Sequence, residues 1–359
     1  MRLRRRLCGA RSIDLFWASW AFVFAAGLVW YSVNGAAVAK PEGFDPYRYE
    51  YFAREGLPEG YLLASGYRIV ILLQWIYQFL PVFFGFSVFC GALHCSLVMT
   101  VRNRTLLIAL FNPITFYYIG QTGKDGIAIL AFAASAMIAT PGAPRRQFAA
   151  YMVIAIALVL RPPIGIFLLP IYLLFRRGVS SALLASIGLA CGFLVISNQA
   201  DIADSLLELV TRDDESDITQ PARDFTFGIG VDVVAIRLAL YLLSIFFQPF
   251  VGLGKFASSW DFFLLYEAII YFLMLFYVAK MKLIRQFLLA SLPFVVLVAT
   301  IFPFYHFRYL VVSYPLVLAF VLGSTAPKRG RRKKPLHGIG DGSEHSRNKD
   351  RLNIACTSG

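Results

Sequence analysis

The stretch SIDLFWASWAFVFAAGLVWYSV, residues 12–33, decides the fold of this chain. Its single charged residue is Asp14, and a basic segment over residues 2–11 precedes it. A bilayer core of roughly 30 Å needs about 20 apolar residues of helix, so this stretch is long enough to cross one. Residues 37–39 (Ala-Val-Ala) resemble a signal-peptidase site, but the apolar run is longer than the usual h-region of about 7–15 residues. We therefore predict an uncleaved first span rather than a cleaved signal peptide.

The composition extends this prediction to the whole chain. Of its 359 residues, 58% are hydrophobic and 15% charged, whereas soluble domains have about 45–50% and about 25%. The net charge of +13 does not predict a nucleic-acid partner, because the Lys and Arg residues flank apolar blocks instead of lining one face. The five Cys are scattered and show no spacing typical of a zinc site or a disulfide framework.

The apolar blocks predict an all-α fold, a polytopic transmembrane bundle of about ten spans. The predicted spans are 12–35, 80–101, 105–122, 125–142, 147–160, 163–176, 179–198, 262–279, 286–304 and 308–324. Two further blocks, 60–79 and 229–250, are apolar but interrupted by charge, and we predict that they are interfacial or re-entrant helices.

Charge sets the orientation. With both interrupted blocks outside the spans, the basic turns and both chain ends fall on one side, which the positive-inside rule makes the cytoplasm. This predicts a multi-pass membrane protein with both termini cytoplasmic. The predicted helical domain is 1–326, with outer loops 36–61 and 199–261, followed by a basic disordered cytoplasmic tail over 327–359.

The first outer loop carries carboxylates interleaved with aromatic residues, among them Asp45 and Glu50. Carboxylates accept protons from sugar hydroxyls, and aromatic rings stack on pyranose faces. We therefore name Asp45 and Glu50 as candidate catalytic residues. A solvated loop with an aromatic belt is the alternative.

Three outer turns carry cations that suit phosphate. Lys124 and Asp125 open a predicted helix, where N–H groups attract anions and Asp125 would cap them. Arg161 lies alone in an apolar turn. His306 and Arg308 begin the last span on its outer side, where a cation opposes the helix dipole and so does not serve helix stability. A capped hairpin turn and snorkelling anchors are the alternatives.

If these cations meet, they form a positive pocket at headgroup depth. Such a pocket suits the phosphate or pyrophosphate of a lipid, while a carboxylate from the first loop deprotonates an acceptor hydroxyl. This is glycosyl transfer from a polyprenyl-linked sugar to a glycan acceptor, and we predict no cofactor and no metal for it. An acidic run at 213–217 would bind a divalent cation, but acidic runs are usually only solvated.

Short windows of the sequence support this chemistry by resemblance. Residues 45–49 (DPYRY) and 58–61 (PEGY) resemble the opening of bacterial exopolysaccharide and O-antigen polymerases of the Wzy/EpsG type, and Lys124-Asp125 is similar to a helix start in that family. Residues 306–309 (HFRY) with Pro315 resemble the late Arg-Tyr…Pro stretch of glycosyltransferases with the GT-C architecture. The resemblance implies an outward-facing transferase that acts on undecaprenyl-linked sugars, with Arg residues on the phosphate.

Two other functions remain open from the sequence. A flippase or transporter for lipid-linked oligosaccharides would want ionisable groups deep within spans, and this chain has few, with Arg237 and Glu267 the nearest. A non-catalytic membrane partner of other polysaccharide assembly proteins is the second.

Overall fold

The computed structural model describes most of the helical part of the chain. The described residues are 2–34, 45–58, 66–80, 85–101, 103–140, 144–162, 164–197, 262–301 and 313–325, with 236, 238, 239, 242 and 243. Across them the chain is all-helical, as predicted, and contains no β-strand. The helices belong to one compact unit, Met1–Ser324. The predicted tail and most of the second outer loop lie outside the described residues.

The described part of the chain holds thirteen α-helices and one π-helical turn. They are α1 (Arg2–Asn34), α2 (Asp45–Glu55), α3 (Tyr67–Tyr77), α4 (Gly85–Thr100), α5 (Arg104–Leu110), α6 (Pro113–Gly120), α7 (Lys124–Ala139), α8 (Pro144–Leu160), α9 (Ile164–Tyr172), the π-helical turn (Leu173–Arg177), α10 (Ser181–Ser197), α11 (Phe262–Lys280), α12 (Ile284–Ile301) and α13 (Tyr314–Thr325). Helix lies within every predicted span. The last predicted span, 308–324, is described only from residue 313 onward.

Helix length separates α1 from its neighbours. Among the described residues, one helix is long and apolar enough to cross a bilayer by length and composition, at Ile13–Ser32. The other apolar stretches of helix found in that set cover 10–17 residues each, such as Gly85–Thr100 and Gln147–Leu160. At 1.5 Å per residue, a helix of that length reaches about 15–26 Å. A bundle of ten spans therefore remains a prediction.

The predicted span 105–122 is two helices, because Asn112-Pro113 interrupts it. Pro113 has no N–H to continue the helix of α5, and it instead occupies the first turn of α6, where its fixed φ is favourable. Asn112 caps α6, since its side-chain oxygen accepts from the N–H of Ile114 at 2.9 Å. Asn103 caps α5 in the same way, through the N–H of Thr105 at 2.9 Å.

The interruption leaves backbone carbonyls at the end of α5 that side chains then satisfy. Thr115 Oγ1 donates to the carbonyl of Ala109 at 2.7 Å. His94 Nε2 donates to the carbonyl of Leu110 at 2.9 Å, and its Nδ1 bonds Ser19 on α1. Because a carbonyl can only accept, Nε2 carries the hydrogen and Nδ1 accepts from the Ser19 hydroxyl. The buried His94 is therefore a structural residue.

Helix α7 is the centre of the bundle. From Gly126 to Ala139 all but one of its residues are buried, which is typical of a helix that is apolar on every side. It packs against α6, α8 and α9. Helix α1 packs against α4 and α6, and small residues let these backbones approach closely. A Cβ on Gly120 would lie 2.7 Å from the backbone carbon of Ala26.

The block 60–79 contains a short helix rather than a span, because α3 runs only over Tyr67–Tyr77. Its buried side is Ile69, Val70, Leu73 and Ile76, and it packs mainly against α2. In the block 229–250 the structure describes only residues 236, 238, 239, 242 and 243.

Several helices expose large apolar side chains on the outside of the compact unit. Trp17 on α1 is 65% exposed, Phe148 on α8 is 67% exposed and Phe276 on α11 is 59% exposed. Others include Phe22, Val29, Trp75, Phe79, Tyr151, Val159, Leu169, Leu183, Phe272 and Leu273. Exposed apolar side chains of this size on several helices are expected of a surface that meets lipid or a partner.

The close approach of α6 to α1 predicts a size limit at Gly120. We expect Gly120→Ala to lower the free energy of unfolding by about 1–3 kcal/mol, because the added methyl group overlaps the backbone of α1. Thermal unfolding of the purified protein in detergent measures the loss. Gly165→Ala is the matched control, since its Cβ would lie 3.5 Å from Leu158 in ordinary contact, and it should be neutral or slightly stabilising. Equal melting temperatures for both variants would contradict the prediction.

Candidate functional site

Helix α2 carries the most buried carboxylate that the structure describes. It begins at Asp45, and Pro46 follows in the first turn, where proline is tolerated. Its inward face buries Tyr49 and Glu50, while Arg54 and Glu55 at the end of the helix are exposed. The Glu50 side chain is 0% exposed.

Three hydroxyl groups donate to Glu50. Tyr31 and Thr122 bond Oε1, and Tyr77 donates to Oε2 at 2.5 Å. Arg54 Nη2, one helical turn further on, lies 3.7 Å from Oε2. These contacts join α2 to the end of α1, to α3 and to the turn between α6 and α7. Both carboxylate oxygens are therefore satisfied, as a buried charge requires.

Burial also changes the acidity of this group. It raises the pKa of Glu50 above its ordinary value, although the hydrogen bonds from Thr122, Tyr31 and Tyr77 and the charge of Arg54 act in the opposite direction. A carboxyl with a raised pKa holds a proton closer to neutral pH, which is the property a general acid or base needs.

The turn that carries Thr122 leads directly into α7. The cations Lys124 and Arg161 lie at this same end of the bundle. Lys124 Nζ lies 5.4 Å from the ring centroid of Tyr49, the neighbour of Glu50. Asp125, in the first turn of α7, accepts a hydrogen bond from Arg161 Nη1 at 3.1 Å. We expected Asp125 to cap α7. The position before the helix is Gly123, which makes no side-chain cap, and Asp125 binds Arg161.

Arg68 occupies the end of α8, and the proline pair there explains why. The carbonyl of Val159 would normally accept from the N–H four residues later, but that residue is Pro163, which has none. Arg68 Nη1 donates to this carbonyl at 2.6 Å. A cation at a helix C-terminus is favourable, so Arg68 caps α8 beside the turn that holds Arg161.

The structure brings together four of the seven candidate site residues. Glu50 accepts a hydrogen bond from Thr122, and Lys124 lies over the ring of Tyr49, the residue before Glu50. Asp125, next to Lys124, binds Arg161. Asp45 begins α2, but its side chain lies outside the described part, as do all of His306 and Arg308. The acidic run 213–217 also lies there. Within the described residues, no group of three or more His, Cys, Asp or Glu side chains is arranged to hold a metal ion.

Sequence reasoning did not predict the partners of Glu50. Tyr31 and Tyr77 each lie near the end of an apolar block, and such tyrosines are common at the membrane boundary. That preference predicts their depth and not their contact with α2. Arg68 had a sequence signal, since a charge inside an apolar block requires a partner.

Comparison with known proteins gives no relative: no family model, no curated protein and no solved structure matches the chain.

The raised pKa of Glu50 predicts how stability depends on pH. The folded chain holds this proton more tightly than the unfolded chain, so stability is greatest below the ordinary Glu value of 4.5 and falls as pH rises through the folded pKa. We expect Glu50→Gln, which has no proton to lose, to lack this fall. Thermal unfolding measures this: between about pH 4 and about pH 8, the Tm of Glu50→Gln should rise relative to the Tm of wild type. Glu55→Gln is the exposed control, and parallel curves for Glu50→Gln and wild type would refute the assignment.

The cap at α8 gives a second prediction for this end of the bundle. Arg68→Met keeps the apolar stem but removes the donor, so we expect a loss of about 1–2 kcal/mol in the free energy of unfolding. Denaturation in detergent measures it. Arg104→Met, on the exposed first residue of α5, is the control. A loss no larger than in that control would mean that the carbonyl of Val159 has another donor.

Proposed function

We propose that this chain is a multi-span inner-membrane glycosyltransferase that transfers sugars from a polyprenyl phosphate or pyrophosphate on the outer face of the membrane. The bundle of about ten spans belongs to this proposal. It is supported by the helices within every predicted span and by the exposed apolar side chains of α1, α8 and α11. The predicted orientation rests on the basic turns.

One observation carries the proposal: the polar groups named for it converge at one end of the helices. Glu50 accepts hydrogen bonds from Tyr31 at the end of α1 and from Thr122 in the α6–α7 turn. Asp125, three residues after Thr122, binds Arg161 at the end of α8. The predicted topology places these turns on the outer side. Their contacts with one another agree with that placement, because a turn on the opposite side would lie a bilayer thickness away.

The cations of this end suit a phosphate. Lys124 and Arg161 are each partly exposed, so an anion has access to them. The Arg161 guanidinium can donate two hydrogen bonds to one phosphate. A phosphate would therefore compete with Asp125, which accepts one hydrogen bond from Arg161 Nη1. In the proposed reaction these residues stabilise the negative charge that develops as the phosphate leaves. Arg308 and His306 extend the same role in the proposal.

Glu50 suits the acceptor. In the reaction the acceptor hydroxyl forms a new bond to the anomeric carbon, the bond from that carbon to the phosphate oxygen breaks, and the hydroxyl proton passes to a carboxylate. Glu50 is surrounded by three hydroxyl donors, so a sugar hydroxyl that replaces one of them meets the same hydrogen-bond geometry. Asp45, one turn earlier on α2, is the second candidate carboxylate.

A deletion strain tests the class of function. We expect loss of the gene to leave lipid-linked single repeat units on the outer side of the membrane, as loss of a polymerase does. Profiling of surface polysaccharide and of polyprenyl-linked intermediates measures this. Accumulation on the cytoplasmic side would instead indicate a flippase. Unchanged profiles would refute both functions.

Three substitutions test the phosphate role. In purified protein we expect Arg161→Met to lower transfer from a polyprenyl-linked donor at least about 100-fold, since one charged donor to a transition-state oxyanion contributes about 3 kcal/mol. Asp125→Asn removes the same ion pair but leaves the guanidinium, so its loss should be much smaller. Arg104→Met on the opposite, basic side is the control for charge alone. Equal losses for Arg161→Met and Asp125→Asn would show that Arg161 serves only the ion pair.

A further inference from the structure

Gln121 is a buried polar residue that none of the contacts above explains. It is 3% exposed and ends α6, directly before Thr122. Its Oε1 atom is buried and has no hydrogen-bond partner in the part of the chain that the structure describes. A buried acceptor without a donor is unfavourable, and in a native protein it calls for an explanation.

The position of Gln121 relates this acceptor to the candidate site. The next residue, Thr122, donates to Glu50, and Lys124 and Asp125 follow in the first turn of α7. The backbone at Gln121 is extended, with φ −88° and ψ 149°, and the bonds described to Glu50 come from Tyr31, Tyr77 and Thr122 and not from Gln121. The Gln121 oxygen is therefore a second acceptor of the same turn, separate from the Glu50 cluster.

The chemistry of the acceptor selects the ligand. A side-chain amide oxygen accepts a hydrogen bond and cannot donate one. Phosphate oxygens at neutral pH also only accept, so the phosphate that suits Lys124 and Arg161 leaves the Gln121 oxygen unsatisfied. A sugar supplies the missing donor through a ring hydroxyl or an acetamido N–H.

We propose that Gln121 Oε1 accepts a hydrogen bond from the sugar of the lipid-linked donor and so selects a sugar-bearing lipid over a bare lipid phosphate. This inference rests on the proposed function and names the part of the donor that this turn reads. Sites built to hydrogen-bond a ligand hydroxyl discriminate strongly against ligands that lack it, because the protein group is then left buried and unpaired.

Binding without turnover tests the inference. The probes are polyprenyl diphosphate alone and the same lipid carrying one glucose, one galactose or one N-acetylglucosamine, titrated against the purified full-length chain in nanodiscs. We expect wild type to bind at least one sugar-bearing lipid about tenfold more tightly than the bare lipid. Gln121→Met, which has a similar shape and no acceptor, should abolish this preference and leave the affinity for the bare lipid unchanged.

Two controls separate binding from folding. The Tm of Gln121→Met without ligand should equal or exceed that of wild type, because the unsatisfied oxygen is gone. Gln147→Met, at the other end of α8 where Nε2 donates to the carbonyl of Thr140 at 3.3 Å, should keep the sugar preference. If Gln121→Met does not fold, Gln121→Glu carries the test, since it retains an oxygen acceptor and should retain the preference.

The outcomes distinguish this inference from the function on which it rests. Wild type that binds every lipid equally, or Gln121→Met that keeps the full preference, would overturn the role of Gln121 and leave the transferase proposal standing. Wild type that binds none of the lipids, with or without sugar, would overturn both. Loss of the preference on Gln121→Glu would overturn the role of the oxygen acceptor.

Discussion

The carboxylate of Glu50 is the interaction on which this end of the molecule depends. Helix α2 is short and polar, and one buried charge joins it to α1 through Tyr31, to α3 through Tyr77 and to the α6–α7 turn through Thr122. Removal of Tyr77 would leave Oε2 without a hydrogen bond, whereas Oε1 would keep one of its two donors if Tyr31 or Thr122 were removed. The bond from Thr122 also limits where Lys124 and Asp125 lie, because they come two and three residues later in the chain.

A second rule accounts for the side chains that bond the ends of α5 and α8: a backbone carbonyl that lacks its helical N–H takes a donor from elsewhere in the protein. Pro113 removes the N–H that would serve the carbonyl of Ala109, and Thr115 replaces it. Pro163 removes the N–H that would serve the carbonyl of Val159. His94 serves the carbonyl of Leu110, and Arg68 serves the carbonyl of Val159. Polar residues inside apolar blocks of this sequence therefore indicate helix ends that need a donor.

The sequence predicted the helices well because long apolar blocks are a property of the local chain. It missed the interruption at Asn112-Pro113, since hydropathy averaged over 105–122 conceals one capping residue and one proline. Glu50 could be named as a candidate, but the loop 36–61 has five carboxylates, and residue type alone does not separate them. Its partner Tyr31 could not be named, because their contact depends on how α1 and α2 pack. Pairings between distant segments are set by tertiary structure, which residue type alone does not encode.

In the proposed spanning bundle, the interrupted segment α5–α6 has a consequence for membrane insertion. Neither half, of 7 and 8 residues, is long enough to cross a bilayer alone, so in a spanning bundle the two must insert as one unit with an opening in its backbone bonding. Ser19 and His94, whose linked side chains close that opening, both precede it in the sequence. During synthesis from the ribosome, the donor to Leu110 is thus made before the helix that needs it, whereas Thr115, which serves Ala109, follows within the segment. Chain order gives one of the two open carbonyls a partner that already exists when α5 emerges.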